Sequence, residues 1–199
     1  MDIGLRDELL AMQARDRETR SDLLDMGCLF GGYAEEMESV YRENALRLKE
    51  IVDRHGWPGR SLVGDDGCEA AWVVAQHAIS LPETQRDFLR RIQDAVERKD
   101  APQLHEAYLL DRILFNQDRP QLYGLVFDWN AEGELSAWID QDDLADERRQ
   151  ELGLPTVEAA TEEARRDADR KGARPPDDID DYHRKRRQWA KDVGWLRGG

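Results

Sequence analysis

His77, Gln85 and Asp111 are polar residues set into apolar stripes, and chemistry can be read from them first. His77 follows Val73 and Val74 by four and three residues, so at helical spacing it shares their face. Gln85 stands between Leu81 and Phe88–Leu89, and Asp111 between Tyr108 and Leu114. A lone buried charge costs several kcal/mol, so Asp111 must be neutral, paired or part of a polar pocket. One hypothesis joins the three: their helices pack with these faces together, and the side chains meet around a common pocket with Arg112 at its mouth. A histidine beside an aspartate is a usable general base, because the carboxylate fixes the imidazole tautomer, and an arginine holds an anionic group. The competing reading makes His77, Gln85, Asp111 and Arg112 a satisfied polar network that sets helix register.

Other chemistry is sparse. Cys28 and Cys68 are too few for a disulfide framework or a thiolate metal site, and each reads as a small packing residue, although the helix start beside Cys68 favours a thiolate. Ser61 lacks the G-x-S-x-G elbow of a nucleophilic serine. His55, His77, His105 and His183 show no paired ligand spacing, so neither a metal nor another cofactor is expected. His55 is the one to watch, beside the Gly-Trp-Pro loop, whereas His105 and His183 read as structural or exposed. Asp140, Asp142, Asp143, Asp146 and Glu147 lack calcium-loop spacing and read as a solvated face. Any enzyme reading therefore favours acid–base chemistry over a covalent intermediate.

The elements that must position these residues are mostly helices. From Leu5 to Phe30, Leu5, Leu9, Met12, Leu23, Leu24 and Cys28 recur loosely at helical spacing, until Gly31 and Gly32 stop the helix. Tyr33 to Arg54 carries Met37, Tyr41, Ala45, Leu48 and Val52 on one clean face. His55 to Gly67, with four glycines and a proline, reads as a loop pinned by Trp57 and Leu62. That loop is either a lid in which Trp57 covers a ligand or a rigid connector with a tryptophan plug. Asp65 or Asp66 then caps a helix over Glu69–Ser80, and Pro82 and Pro102 open two more. After Pro120 the period changes to two strand-like runs around Asn-Ala-Glu-Gly, a hairpin near residues 121 to 139. As a strand, Gln121 and Tyr123 point together to a pocket edge while Leu122 points away. Helices follow over Asp140–Leu152, Thr156–Lys171 and Asp180–Val193, the last part of a docking arm with Trp189 and Trp195.

Composition narrows the function classes. The 199 residues include 43 acidic against 29 basic ones, a net charge of −14. An acidic surface repels phosphate backbones, so no nucleic acid is expected as partner. No run approaches the ~18 to 20 apolar residues of a membrane span, and Met1–Leu10 is charged, so neither anchor nor signal peptide is expected. A cytoplasmic location follows as the expectation.

From His55 to Pro155 the sequence resembles an uncharacterised bacterial family common in actinobacteria, one of the numbered domains of unknown function. The carrying residues are Gly56-Trp57-Pro58, Gly64, Ala75-Gln76-His77-Ala78, Gln85, Asp111-Arg112, Gln121-x-Tyr123-Gly124 and Arg148-Arg149-x-x-Leu152-Gly153-Leu154-Pro155. Two positions depart: Leu125-Val126 stands where the resemblance implies a polar Thr-Gln pair, and Gln117 where it implies a small residue. If that pair belongs to a site, the site is altered here. The resemblance implies no nameable activity.

The expected fold is a mainly α single domain, with a small β-hairpin and a C-terminal helical arm. Its parts are an N-terminal helical hairpin (1–54), a core (55–155) and the arm (156–199). Two functions remain open. One is a cofactor-independent enzyme of hydrolase or lyase type acting on a small molecule or peptide, with His77, Asp111 and Arg112 catalytic and Gln85, Gln121, Tyr123, Trp57 and His55 binding substrate. The other is a regulatory or immunity-type binding module whose acidic surface engages a basic protein.

Overall fold

A helix whose apolar residues repeat every three or four positions buries one stripe, and such stripes build most of this protein. The computed structural model describes residues 1–25, 35–140 and 144–196. Cys28, the Gly31–Gly32 stop, Tyr33, Asp142 and Asp143 lie outside the described residues, as do the side chains of Leu23 and Leu24. The described chain is mainly α, with one small antiparallel hairpin. None of its helices is long and apolar enough to cross a membrane. It divides into two compact units, Met1–Glu106 and Ala107–Gly199.

In the first unit, α1 (Ile3–Asp25) packs on α2 (Glu35–His55) and α3 (Arg60–His77), and α4 (Pro82–Glu97) on α2 and α3. Asp2 Oδ1 accepts the Leu5 N–H at 3.0 Å and starts α1. Leu5, Leu9 and Met12 are buried, as is the whole α2 ladder of Met37, Tyr41, Ala45, Leu48 and Val52. Phe88 and Ile92 of α4 are fully buried, and Trp57 meets Phe88 edge-on at 6.2 Å between ring centroids. Leu104, just after Pro102, is exposed.

The expected loop from His55 to Gly67 is half wrong. Helix α3 already begins at Arg60 and runs through Gly64, whose φ of 76° and ψ of 177° break it without ending it. A remote residue makes this possible: Asp100 accepts the Ser61 N–H at 2.7 Å and the Ser61 hydroxyl at 2.9 Å, satisfying the first turn in place of a local cap. Asp65 and Asp66 follow the Gly64 break directly, where Asp66 Oδ1 accepts the Gly67 N–H at 2.9 Å.

Helix α5 (Gln103–Asn116) carries the chain into the second unit. There β1 (Asp128–Trp129) pairs with β2 (Leu135–Ser136), and α6 (Ala145–Glu151), α7 (Val157–Arg170) and α8 (Ile179–Asp192) follow. The turn lies where expected, with Asn130 Oδ1 accepting the N–H groups of Glu132 and Glu134. The strands are far shorter than the 121–139 pattern predicts, reduced beyond β1 and β2 to a bridge between Gln121 and Ile139. After the Gln121 N–H, which still meets the Trp138 carbonyl at 2.8 Å, the chain leaves the sheet, because the N–H groups of Leu122, Tyr123, Leu125 and Val126 bind side chains instead of a neighbouring strand.

Candidate functional site

The stripe Leu5, Leu9, Met12 continues at the next helical step with Asp16, which is 3% exposed. A carboxylate so placed needs a partner, and His77 at the end of α3 supplies it: Nδ1 makes a short hydrogen bond to Asp16 Oδ2. The Tyr41 ring packs on the imidazole at 4.6 Å between centroids, tilted by 32°. Asn44, also buried, donates to the Met12 carbonyl at 3.1 Å and ties α2 to the turn of α1 that presents Asp16. The His77 side chain is 32% exposed, and its Nε2 has no hydrogen-bond partner among the described residues. The result is an imidazole held by a buried carboxylate at Nδ1 and open at Nε2, the orientation a proton-transfer group needs.

Gln85 serves the same end of α3. Its amide nitrogen donates to the carbonyls of Ala75 at 2.7 Å and Gln76 at 3.1 Å, closing the last turn that carries His77. Gln85 thus supports the turn bearing His77, and its Oε1 is buried without a partner among the described residues.

Asp111 belongs to the second unit and to different chemistry. Fully buried, its Oδ1 accepts the N–H groups of Leu122 (2.8 Å) and Tyr123 (3.2 Å), and its Oδ2 those of Tyr123 (3.1 Å) and Leu125 (3.0 Å). Burial pushes the carboxyl above its ordinary range, while these donors and the Arg149 charge pull it back. Arg149, 2% exposed, donates to the carbonyls of Tyr123 (2.7 Å), Gly124 (3.1 Å) and Pro155 (2.5 Å). Gln121, also buried, exchanges two 2.8 Å hydrogen bonds with the backbone of Val126. Asp111, Gln121 and Arg149 together replace the sheet ladder for residues 122–126.

His77 and Gln85 lie in the first unit and Asp111 in the second, and each makes its hydrogen bonds within its own unit. His77 takes Asp16 as its carboxylate, and Asp111 gives both oxygens to backbone donors. Arg112 is half-buried on α5 next to Asp111. Gln121 points inward, Tyr123 is half-buried and Leu122 is exposed, so side chains still alternate, but on a loop. The departing pair Leu125-Val126 is buried, and its backbone N–H groups go to Asp111 and Gln121. Trp57 is buried as a plug, and His55 is exposed at the end of α2. An open groove of about 600 Å³ in the first unit lies along the charged face of α4, from Asp87 to Glu97, ending at Glu106.

Sequence reasoning missed three residues. Asp16 was reachable from the spacing of Leu5, Leu9 and Met12. Arg149 stood within the quoted motif without a role. Glu69 gave no signal, yet its Oε2 lies 2.8 Å from Nε2 of buried His105, whose ring stacks on Trp72 at 4.7 Å. Burial holds His105 below the ordinary histidine value of 6.5, with Glu69 opposing. A histidine kept neutral by folding adds stability above its unfolded pKa, and that stability is lost as pH falls through the lower folded value. The urea midpoint should therefore fall between about pH 7.5 and about pH 5, and His105→Gln should flatten part of that slope. An equal slope in both proteins would remove this role. Burial likewise pushes the Cys68 thiol up to about 11, so it stays protonated and unreactive at neutral pH. Among the described residues, no three His, Cys, Asp or Glu side chains converge as a metal site requires.

No curated protein matches this chain. No solved structure matches it either. The model of the family of unknown function DUF6624 matches residues 3–169, a span that holds Asp16, His77 and the whole Asp111–Arg149 cradle, and the chain belongs to that family.

Proposed function

We propose that the protein is a cofactor-independent acid–base enzyme, of hydrolase or lyase type, acting on a small molecule or peptide. His77 Nε2 takes and returns the proton, and Asp16 holds the ring in the Nδ1–H tautomer and orientation, the role that spacing assigned to Asp111. The observation that carries the reading is the pairing of a buried carboxylate with Nδ1 of a histidine whose other nitrogen is left open.

Hydrolysis of p-nitrophenyl acetate tests the reading without knowledge of the natural substrate. His77 acts on it as general base toward water, releasing acetate and p-nitrophenolate. His77→Gln is expected to lower the rate constant roughly tenfold, less than the 10²- to 10⁴-fold of a matched substrate, and Asp16→Asn to fall between the two. A His77→Gln rate equal to wild type overturns the reading.

The charge of −14 favours a second reading, a binding module whose acidic surface engages a basic protein. Its signature is binding that weakens with salt and is indifferent to His77→Gln.

A further inference from the structure

The family match ends at residue 169, and α8 lies beyond it. This helix is nevertheless seated on family residues of the second unit, with one arginine at the centre of the contact. Arg186 places its guanidinium 4.7 Å above the Phe115 ring, donates to Asp118 Oδ1 at 2.6 Å and to the Phe115 carbonyl at 3.3 Å, and brings Nε within 3.8 Å of Asp128 Oδ2. An aromatic face, two carboxylates and a carbonyl around one planar cation form a guanidinium-recognition pocket. Asp118 is set for this by a backbone φ of 52°, in the left-handed region that Asp tolerates better than most residues. Around the pocket, Tyr182 donates to Asp128 Oδ1 at 2.5 Å, His183 Nε2 lies 2.7 Å from the Trp129 carbonyl, and Arg187 pairs with Asp118 at 3.3 Å.

The arm is tied to α7 by only eight residues, Lys171 to Asp178, which include Gly172 at φ 68° and the stiff pair Pro175-Pro176. Extended, they span roughly 28 Å. A short, proline-stiffened and largely exposed tether makes docking on the own chain and on a neighbour's pocket use the same contacts, which is the condition for exchange between protomers. We propose that Phe115, Asp118 and Asp128 form an arginine-recognition site that takes Arg186 of a second copy, so that two copies exchange α8. The basic run Arg184-Lys185-Arg186-Arg187 supplies the charge complement that an otherwise acidic chain needs to meet itself.

Two disabled full-length chains test the proposal. One carries Arg186→Glu, with a broken arm and an intact pocket. The other carries Asp118→Asn and Asp128→Asn, with an intact arm and a pocket stripped of charge; asparagine retains the left-handed backbone at 118. Light scattering after gel filtration is expected to show wild type shifting to dimer as concentration rises, each disabled chain monomeric alone, and their equimolar mixture forming a one-to-one heterodimer. A mixture that stays monomeric at about 100 μM, where a micromolar contact would be filled, overturns the proposal. So does self-association of either disabled chain, which would place the interface elsewhere. Arg186→Gln replaces Arg186→Glu if the charge reversal disturbs folding by circular dichroism, and the same outcomes apply.

Discussion

Asp111→Asn is expected to lower the unfolding free energy by about 2 to 4 kcal/mol at neutral pH, measured by urea denaturation followed by circular dichroism. The wild-type carboxylate offers an acceptor in both directions, Oδ1 toward Leu122 and Oδ2 toward Leu125, with Tyr123 shared between them. Asparagine keeps one oxygen and turns an NH₂ toward the donor on the other side. One backbone N–H is then left buried without an acceptor and faces another donor, which costs more than a missing hydrogen bond alone. The negative charge that Arg149 meets is also removed. A change below about 0.5 kcal/mol, the range of an ordinary surface substitution, would contradict the cradle and return Asp111 to the list of candidate catalytic groups.

Gly59→Ala carries a comparable expectation by a different route. A Cβ at residue 59 would lie 2.7 Å from the Asp100 backbone oxygen and overlap the Asp100 carboxylate. The carboxylate cannot retreat freely, since it holds the Ser61 N–H and hydroxyl, and the Asp100 carbonyl accepts the Arg60 N–H at 2.8 Å. Insertion of one methyl group should therefore separate the start of α3 from the turn after α4, at a loss of about 2 to 3 kcal/mol. A further consequence reaches the candidate site, because α3 carries His77 at its other end. The p-nitrophenyl acetate rate of Gly59→Ala should change less than its stability, since Gln85 and Asp16 hold that end independently. An unchanged urea midpoint would show that the close approach at residue 59 relaxes without cost.

Membership of a family of unknown function gains physical content from these two groups. Asp111, Gln121, Tyr123, Gly124 and Arg149 all stand in the motif that carries the resemblance, and the structure uses their side chains and backbone to shape one loop. His77 stands in the same motif but is held differently, by a carboxylate from α1. The motif thus mixes residues that shape a loop with a histidine held by a buried carboxylate.

What the amino-acid order determines by itself is the helical frame. Periodicity marks Leu5, Leu9 and Met12, the α2 ladder and the Gln85–Phe88–Ile92 stripe, because each helix settles which residues share a face from local geometry. Pro82, Thr156 and Gly172 mark boundaries for equally local reasons: a fixed φ, a hydroxyl accepting the Ala159 N–H, a left-handed stop. The hairpin turn at Asn130–Gly133 is local too. Tertiary structure decided the rest. That Asp16 meets His77, that Asp100 starts α3 at Arg60, and that Leu122, Tyr123 and Leu125 turn their N–H groups to Asp111 all depend on groups 11 to 61 residues away in the chain. A buried polar residue on a helix face announces that it needs a partner. Which partner it finds is set by the packing of helices against one another, which helical periodicity does not encode.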